Sequence, residues 1–119
     1  MRLTIERAAL LKALTHVQSV VERRNTIPIL SNVLMSAQDS ALRLTATDLD
    51  IEIAEEAFAE VERAGATSAP AQYLYDFVRK LSENAQVKMD LGGDDQRLSV
   101  WAGKARLNLP VLPAQDFPV

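Results

Sequence analysis

Three acids at two-residue spacing, Asp48, Asp50 and Glu52, form the arrangement in this chain that is nearest to catalysis. On an extended strand that spacing places all three side chains on one side, where carboxylates can hold a divalent cation and support metal-dependent phosphoryl transfer. No glycine-rich phosphate loop accompanies them, so an acidic solvent face with one turn-stabilising aspartate is the plainer reading. His16 is the only histidine. It has no carboxylate at a helical partner spacing, and Lys12 sits one turn away, which leaves nucleophilic catalysis without a base-and-orienter pair. The basic residues say more. Arg23 and Arg24 leave a helix end just before an apolar stretch, and Lys12, Thr15, His16 and Ser19 share one helical face. A solvated helix surface is the plain reading of that face; a surface turned to phosphate is the sharper one.

The totals decide between classes. The chain has 119 residues and 48% hydrophobic content, enough for one domain with its own core. Its formal charge of -3 is unevenly spread: five bases against two acids in residues 1–24, five against thirteen in 25–95, and three against one in 96–119. Basic ends around an acidic middle allow one positive and one negative face, which repels a polyanion everywhere except at one surface. There is no cysteine, which excludes disulfides and thiolate zinc sites. The first ten residues, MRLTIERAAL, carry charges at positions 2, 6 and 7 and are no signal peptide. No run of about eighteen apolar residues occurs, so no membrane association is expected and a cytoplasmic location is the default.

The elements that must position these residues follow from periodicity. Arg2 to Ile5 alternates as a short strand, and Leu10, Ala13, Leu14, Val17 and Val21 then recur at helical steps over about Glu6 to Val21. Pro28 requires the helix to have ended. Residues 31–37 and 42–47 alternate around a turn at 38–40 and predict a hairpin. The segment 48–62 starts as a strand with Ile51 and Ile53 inward, then slips phase at Glu55 and Glu56, which predicts a bulge. A turn is expected over 63–67, then Pro70 as the first residue of a second helix over 71–81. Strands at 86–91, 97–101 and 104–109, separated by glycine-containing turns, predict an antiparallel meander. The order is β-α-βββ-α-βββ, an α+β class with two helices packed on antiparallel β-sheet.

With that order in place, the stretches RRNTIPILSNVLMSA, LRLTATDLDIEI, SAPAQYLYDFVRKL and RLNLPVLPAQDFP resemble the first domain of the bacterial sliding clamp, the beta subunit of DNA polymerase III. The resemblance covers nearly the whole chain. It implies the DNA clamp fold, residues 1–119 forming one such domain, and two further domains to complete a subunit. Two subunits closing head to tail would form a ring around double-stranded DNA. The implied function is that of a processivity factor without catalysis of its own and without a cofactor. DNA polymerase III and the clamp loader would bind through the domains that this chain does not include.

The resemblance also implies roles for particular residues. Arg24 falls on the family's DNA-contacting arginine, and Lys12, Arg79 and Lys80 would face phosphate from the hole-lining helices, while the acids from Glu52 to Glu62 face outward. Arg97, Lys104, Arg106, Leu107 and Leu109 fall on the edge that meets the other subunit. No metal ligands are implied, which leaves metal-dependent phosphoryl transfer by Asp48, Asp50 and Glu52 as the alternative.

Overall fold

The alternation of RLTIE, which turns Leu3 and Ile5 inward, gives way at Arg7 to the three- and four-residue spacing of Leu10, Ala13, Leu14 and Val17, and the backbone changes with it. In the computed structural model, which describes residues 1–21, 27–94 and 96–118, these segments are β1 (Arg2–Glu6) and α1 (Arg7–Val17). The last turn tightens into a 3₁₀ segment at Gln18–Val20, so α1 stops short of the predicted Val21. Pro28 opens a second 3₁₀ turn, Pro28–Ser31. From there run β2 (Asn32–Gln38), β3 (Ala41–Thr47), β4 (Glu52–Phe58), β5 (Glu60–Arg63) and β6 (Gly65–Pro70). Then come α2 (Ala71–Arg79), β7 (Gln86–Leu91), β8 (Arg97–Ala102) and β9 (Ala105–Pro110).

The strands form two antiparallel sheets, one in the order β5-β1-β7-β8-β9 and the other in the order β4-β3-β2-β6. Helix α1 lies over β3 and β4, α2 lies over β2 and β6, and the helices pack on each other. Leu3, Met89, Leu98 and Val100 from the first sheet, Val33, Met35, Leu42 and Leu44 from the second, and Leu10, Leu14, Leu74 and Val78 from the helices belong to one core. The expected α+β arrangement is therefore present, built on two sheets.

Two segments differ from the expectation. Residues 52–58 keep an unbroken alternation, with Ile53, Glu55 and Ala57 on the α1 side, so there is no phase slip at Glu55. The break falls at Ala59, which is buried and donates its N–H to Ser40 O at 3.0 Å. At that residue the chain leaves one sheet for the other, since β4 pairs with β3 and β5 with β1. Ile51 is 58% exposed rather than inward. The expected turn over 63–67 narrows to Ala64, because GATSAP is a strand paired along β2. Its Thr67, Ser68 and Ala69 are all buried, so its small residues show no alternation to read. Pro70 ends that strand as the residue before α2, on a sheet edge where a missing N–H costs no ladder bond.

Candidate nucleic-acid interface

The basic residues of the two helices are brought together by one that the sequence reading counted only as charge. Arg7 opens α1, and its guanidinium donates from Nε to Val78 O at 3.1 Å and from Nη2 to Arg79 O at 2.8 Å. The last carbonyls of a helix have no partner within it, and a cation there also meets the negative end of the helix dipole. Arg7 thus holds the start of α1 against the end of α2. Its partners lie 71 and 72 residues away, and no local pattern signals such a contact.

Lys12 is exposed on α1, five residues and about 7.5 Å along the axis from Arg7. Arg79 is exposed at the last position of α2, with its guanidinium 3.4 Å from Asp76 Oδ1 and 5.8 Å from the centre of the Tyr75 ring. Asp76 Oδ1 also accepts from Gln72 Nε2 at 3.0 Å, so Arg79 is steadied along its own helix. Lys80 follows as the exposed C-cap. Arg23 and Arg24 lie outside the described residues.

The rest of the α1 face is less open to phosphate than its sequence suggests. Thr15 Oγ1 donates to Leu11 O at 2.7 Å within α1, and Ser19 Oγ donates from the following 3₁₀ turn to His16 O at 2.8 Å. His16 Nδ1 lies 2.8 Å from Glu55 Oε1 on β4. Glu55 therefore does not face outward with its neighbours. It keeps strand phase because a helical side chain meets it there. Glu52, Glu56, Glu60 and Glu62 are exposed, with Glu56 3.4 Å from Arg43 and Glu62 3.1 Å from Arg2.

The Asp48, Asp50 and Glu52 arrangement does not survive folding. Regular strand begins only at Glu52, and Leu49 has φ +83°, so the three side chains do not share one strand face. Asp48 Oδ1 instead accepts from Ile51 N at 2.7 Å and Asp50 N at 2.9 Å. Those bonds, the one from Ile51 foremost, hold its carboxyl below the usual carboxylate range. Thr47 Oγ1 completes the turn, accepting from Leu49 N and donating to Ile51 O. Among the described residues no three His, Cys, Asp or Glu side chains converge as a metal site. The turn-stabilising aspartate is what the chain contains.

The second set of predicted residues sits on β8, β9 and their turn. Arg97 opens β8, and Lys104 occupies the two-residue turn beside Gly103, whose φ of +58° suits glycine. Arg106 lies opposite Trp101, with its guanidinium 5.3 Å from the ring centre. Leu107 is half-buried, and Leu109 is 3% exposed with its side chain in the core. β9 is the outer strand of its sheet. The Ala102–Ala105, Val100–Leu107 and Leu98–Leu109 pairs alternate with the others from the tight turn onward. By that alternation Leu107 and Leu109 bond to β8, and the N–H groups of Arg106 and Asn108 point to the open edge.

Two helices side by side, backed by two antiparallel sheets of which one ends on an open strand, define a domain of the DNA clamp class. The chain belongs to the family described as DNA polymerase III beta subunit, N-terminal domain, which it matches over residues 1–119. It is 63% identical over its whole length to a Beta sliding clamp of Caulobacter vibrioides strain NA1000 / CB15N, of which it covers 32%. It is 41% identical to the Beta sliding clamp of Escherichia coli K12, with 99% of this chain and 32% of that protein covered. Among solved structures, the DNA polymerase sliding clamp from Caulobacter crescentus superposes with a TM-score of 0.97 at 63% identity, covering 100% of this chain and 32% of that one. A sliding clamp from Bartonella birtlesii bound to griselimycin superposes with a TM-score of 0.94 at 44% identity, again over 100% and 32%. The chain thus spans about a third of the length of the relatives that it matches.

Proposed function

We propose that residues 1–119 form the first of three domains in a subunit of a cytoplasmic DNA sliding clamp, a non-catalytic processivity factor for DNA polymerase III. Two subunits close head to tail around duplex DNA, and the polymerase and clamp loader bind through the domains beyond these residues. The observation that carries this reading is the pair of adjoining helices with exposed Lys12, Arg79 and Lys80, in a chain matched end to end by the N-terminal domain of the beta subunit family.

In this reading Arg24, Lys12, Arg79 and Lys80 meet the phosphate backbone, and Arg97, Lys104, Arg106 and Leu107 meet the second subunit, with Leu109 fixing β9 to the core behind them. Holding is topological. A few phosphate contacts without base readout let a ring slide while staying on its strand.

The test is equilibrium binding of the full-length ring to a short linear duplex, from which a closed ring can slide free, comparing the native protein with Arg24→Ala over a salt series. Weaker binding of the variant is expected, with a salt slope shallower by about 0.9 for one lost phosphate contact. Equal affinity at every salt concentration removes Arg24 from the contact set.

A further inference from the structure

Trp101, the one tryptophan of the chain, does not serve the core. The buried positions of β8 are Leu98, Val100 and Ala102, and Trp101 stands half-buried on the opposite face of the strand, between Lys88 of β7 and Arg106 of β9. What it holds is a cation: the Arg106 guanidinium lies over its ring, 5.3 Å from the centre. The Trp101–Arg106 pair falls between the bonded pairs of the β8–β9 ladder, where opposite side chains stand closest.

How an arginine is held decides what it can still do. Arg2, Arg43, Arg63 and Arg79 are held by carboxylate oxygens and Arg7 by two carbonyls, and each such contact occupies N–H donors. Among the described residues the Arg106 side chain makes no ion pair and no hydrogen bond, and its partner is the indole ring. A ring engages the plane of a guanidinium and leaves its N–H donors open. Arg106 is thus oriented yet uncommitted, on the outer strand of its sheet. A side chain ordered in advance loses less freedom when it binds.

We infer that Trp101 is a positioning residue for the subunit junction: its indole face fixes the Arg106 guanidinium before the subunits meet, so that the open donors arrive aligned on acceptors of the second subunit. The inference rests on the reading that places Arg106 at that junction, and it adds a residue one strand in from the edge.

Sedimentation equilibrium of the full-length protein tests this, with thermal unfolding to show that each variant is folded. Trp101→Ala and Trp101→Leu, which lack an aromatic face, are expected to weaken subunit association roughly two- to tenfold at each junction, the cost of ordering one long side chain on binding. Trp101→Phe, which keeps a face, is expected to restore most of it. In an Arg106→Gln background, Trp101→Leu is expected to add nothing, because its effect passes through the guanidinium. If Arg106→Gln weakens association and Trp101→Leu does not, the positioning role is overturned and the junction reading stands. If Arg106→Gln itself leaves association unchanged, Arg106 is not at the junction and both fail. A loss on Trp101→Leu that persists undiminished in the Arg106→Gln background also overturns the inference, since Trp101 would then meet the second subunit by itself.

Discussion

Asp48 and Glu55 are both acids whose roles are decided by one short contact each. Asp48 holds the β3–β4 turn through backbone N–H groups of Ile51 and Asp50, which favours its ionised form. A carboxyl whose folded pKa is depressed contributes stability that is present above its unfolded pKa and is lost as pH falls through the folded value. Asp48→Asn keeps an acceptor but not the charge. The variant is therefore expected to be less stable than the native chain at neutral pH, with the gap narrowing as pH falls below about 4, the ordinary aspartate range. Urea midpoints measured across that window check it, and a gap independent of pH would show that the charge contributes nothing. That an aspartate here stabilises a turn was legible from Thr-Asp-Leu-Asp alone. Glu55 was not legible: an acid at an inward strand position reads as a change of phase until His16, 39 residues earlier, is placed over it.

At the scale of elements, α1, α2 and the strands β1, β2, β3, β7, β8 and β9 were readable because each carries its own apolar spacing. The helix buries residues every three or four positions, as Leu10, Ala13, Leu14 and Val17 do, and the strands every second one, as Val87, Met89 and Leu91 do. β6 escaped because its residues are small and show no alternation, its two polar ones, Thr67 and Ser68, being buried between β2 and the bridge to Leu112. What joins the elements is less visible still, and Arg7 is the clearest case. Its fork spans two carbonyls at the end of α2, one of them partly buried. Arg7→Ala is expected to cost about 1 kcal/mol, the net worth of a charged hydrogen bond discounted for exposure. Arg7→Lys is expected to recover part of this, since a lysine keeps the charge without the fork. Urea denaturation of the three proteins decides the point, and equal midpoints for all three would remove Arg7 as the strut between the helices.

For the whole molecule, the unequal charge along the sequence becomes a division of surfaces. Most acids of the 52–62 segment are exposed on strands, with Glu62 and Glu56 paired to Arg2 and Arg43, while Lys12, Arg79 and Lys80 stand on the helices. The sheet order leaves β9 as an outer strand, and in the proposed ring that edge is where the second subunit continues the sheet. The ladder alternation turns this into a sharp expectation. Asn108 presents its N–H to the open edge, and Leu107 presents its own to β8. Proline removes one N–H from whichever side it lands on. Asn108→Pro is therefore expected to leave the domain folded and weaken subunit association of the full-length protein a few-fold to about tenfold, the worth of one backbone hydrogen bond. Leu107→Pro breaks the β8–β9 ladder and is expected to lower the unfolding midpoint before any effect on association is seen. Sedimentation equilibrium paired with thermal unfolding separates the two variants. Unchanged association of Asn108→Pro, with the fold intact, would show that the open edge of β9 does not close the ring by sheet continuation, and the contact would then have to rest on the side chains of Arg97, Lys104, Arg106 and Leu107.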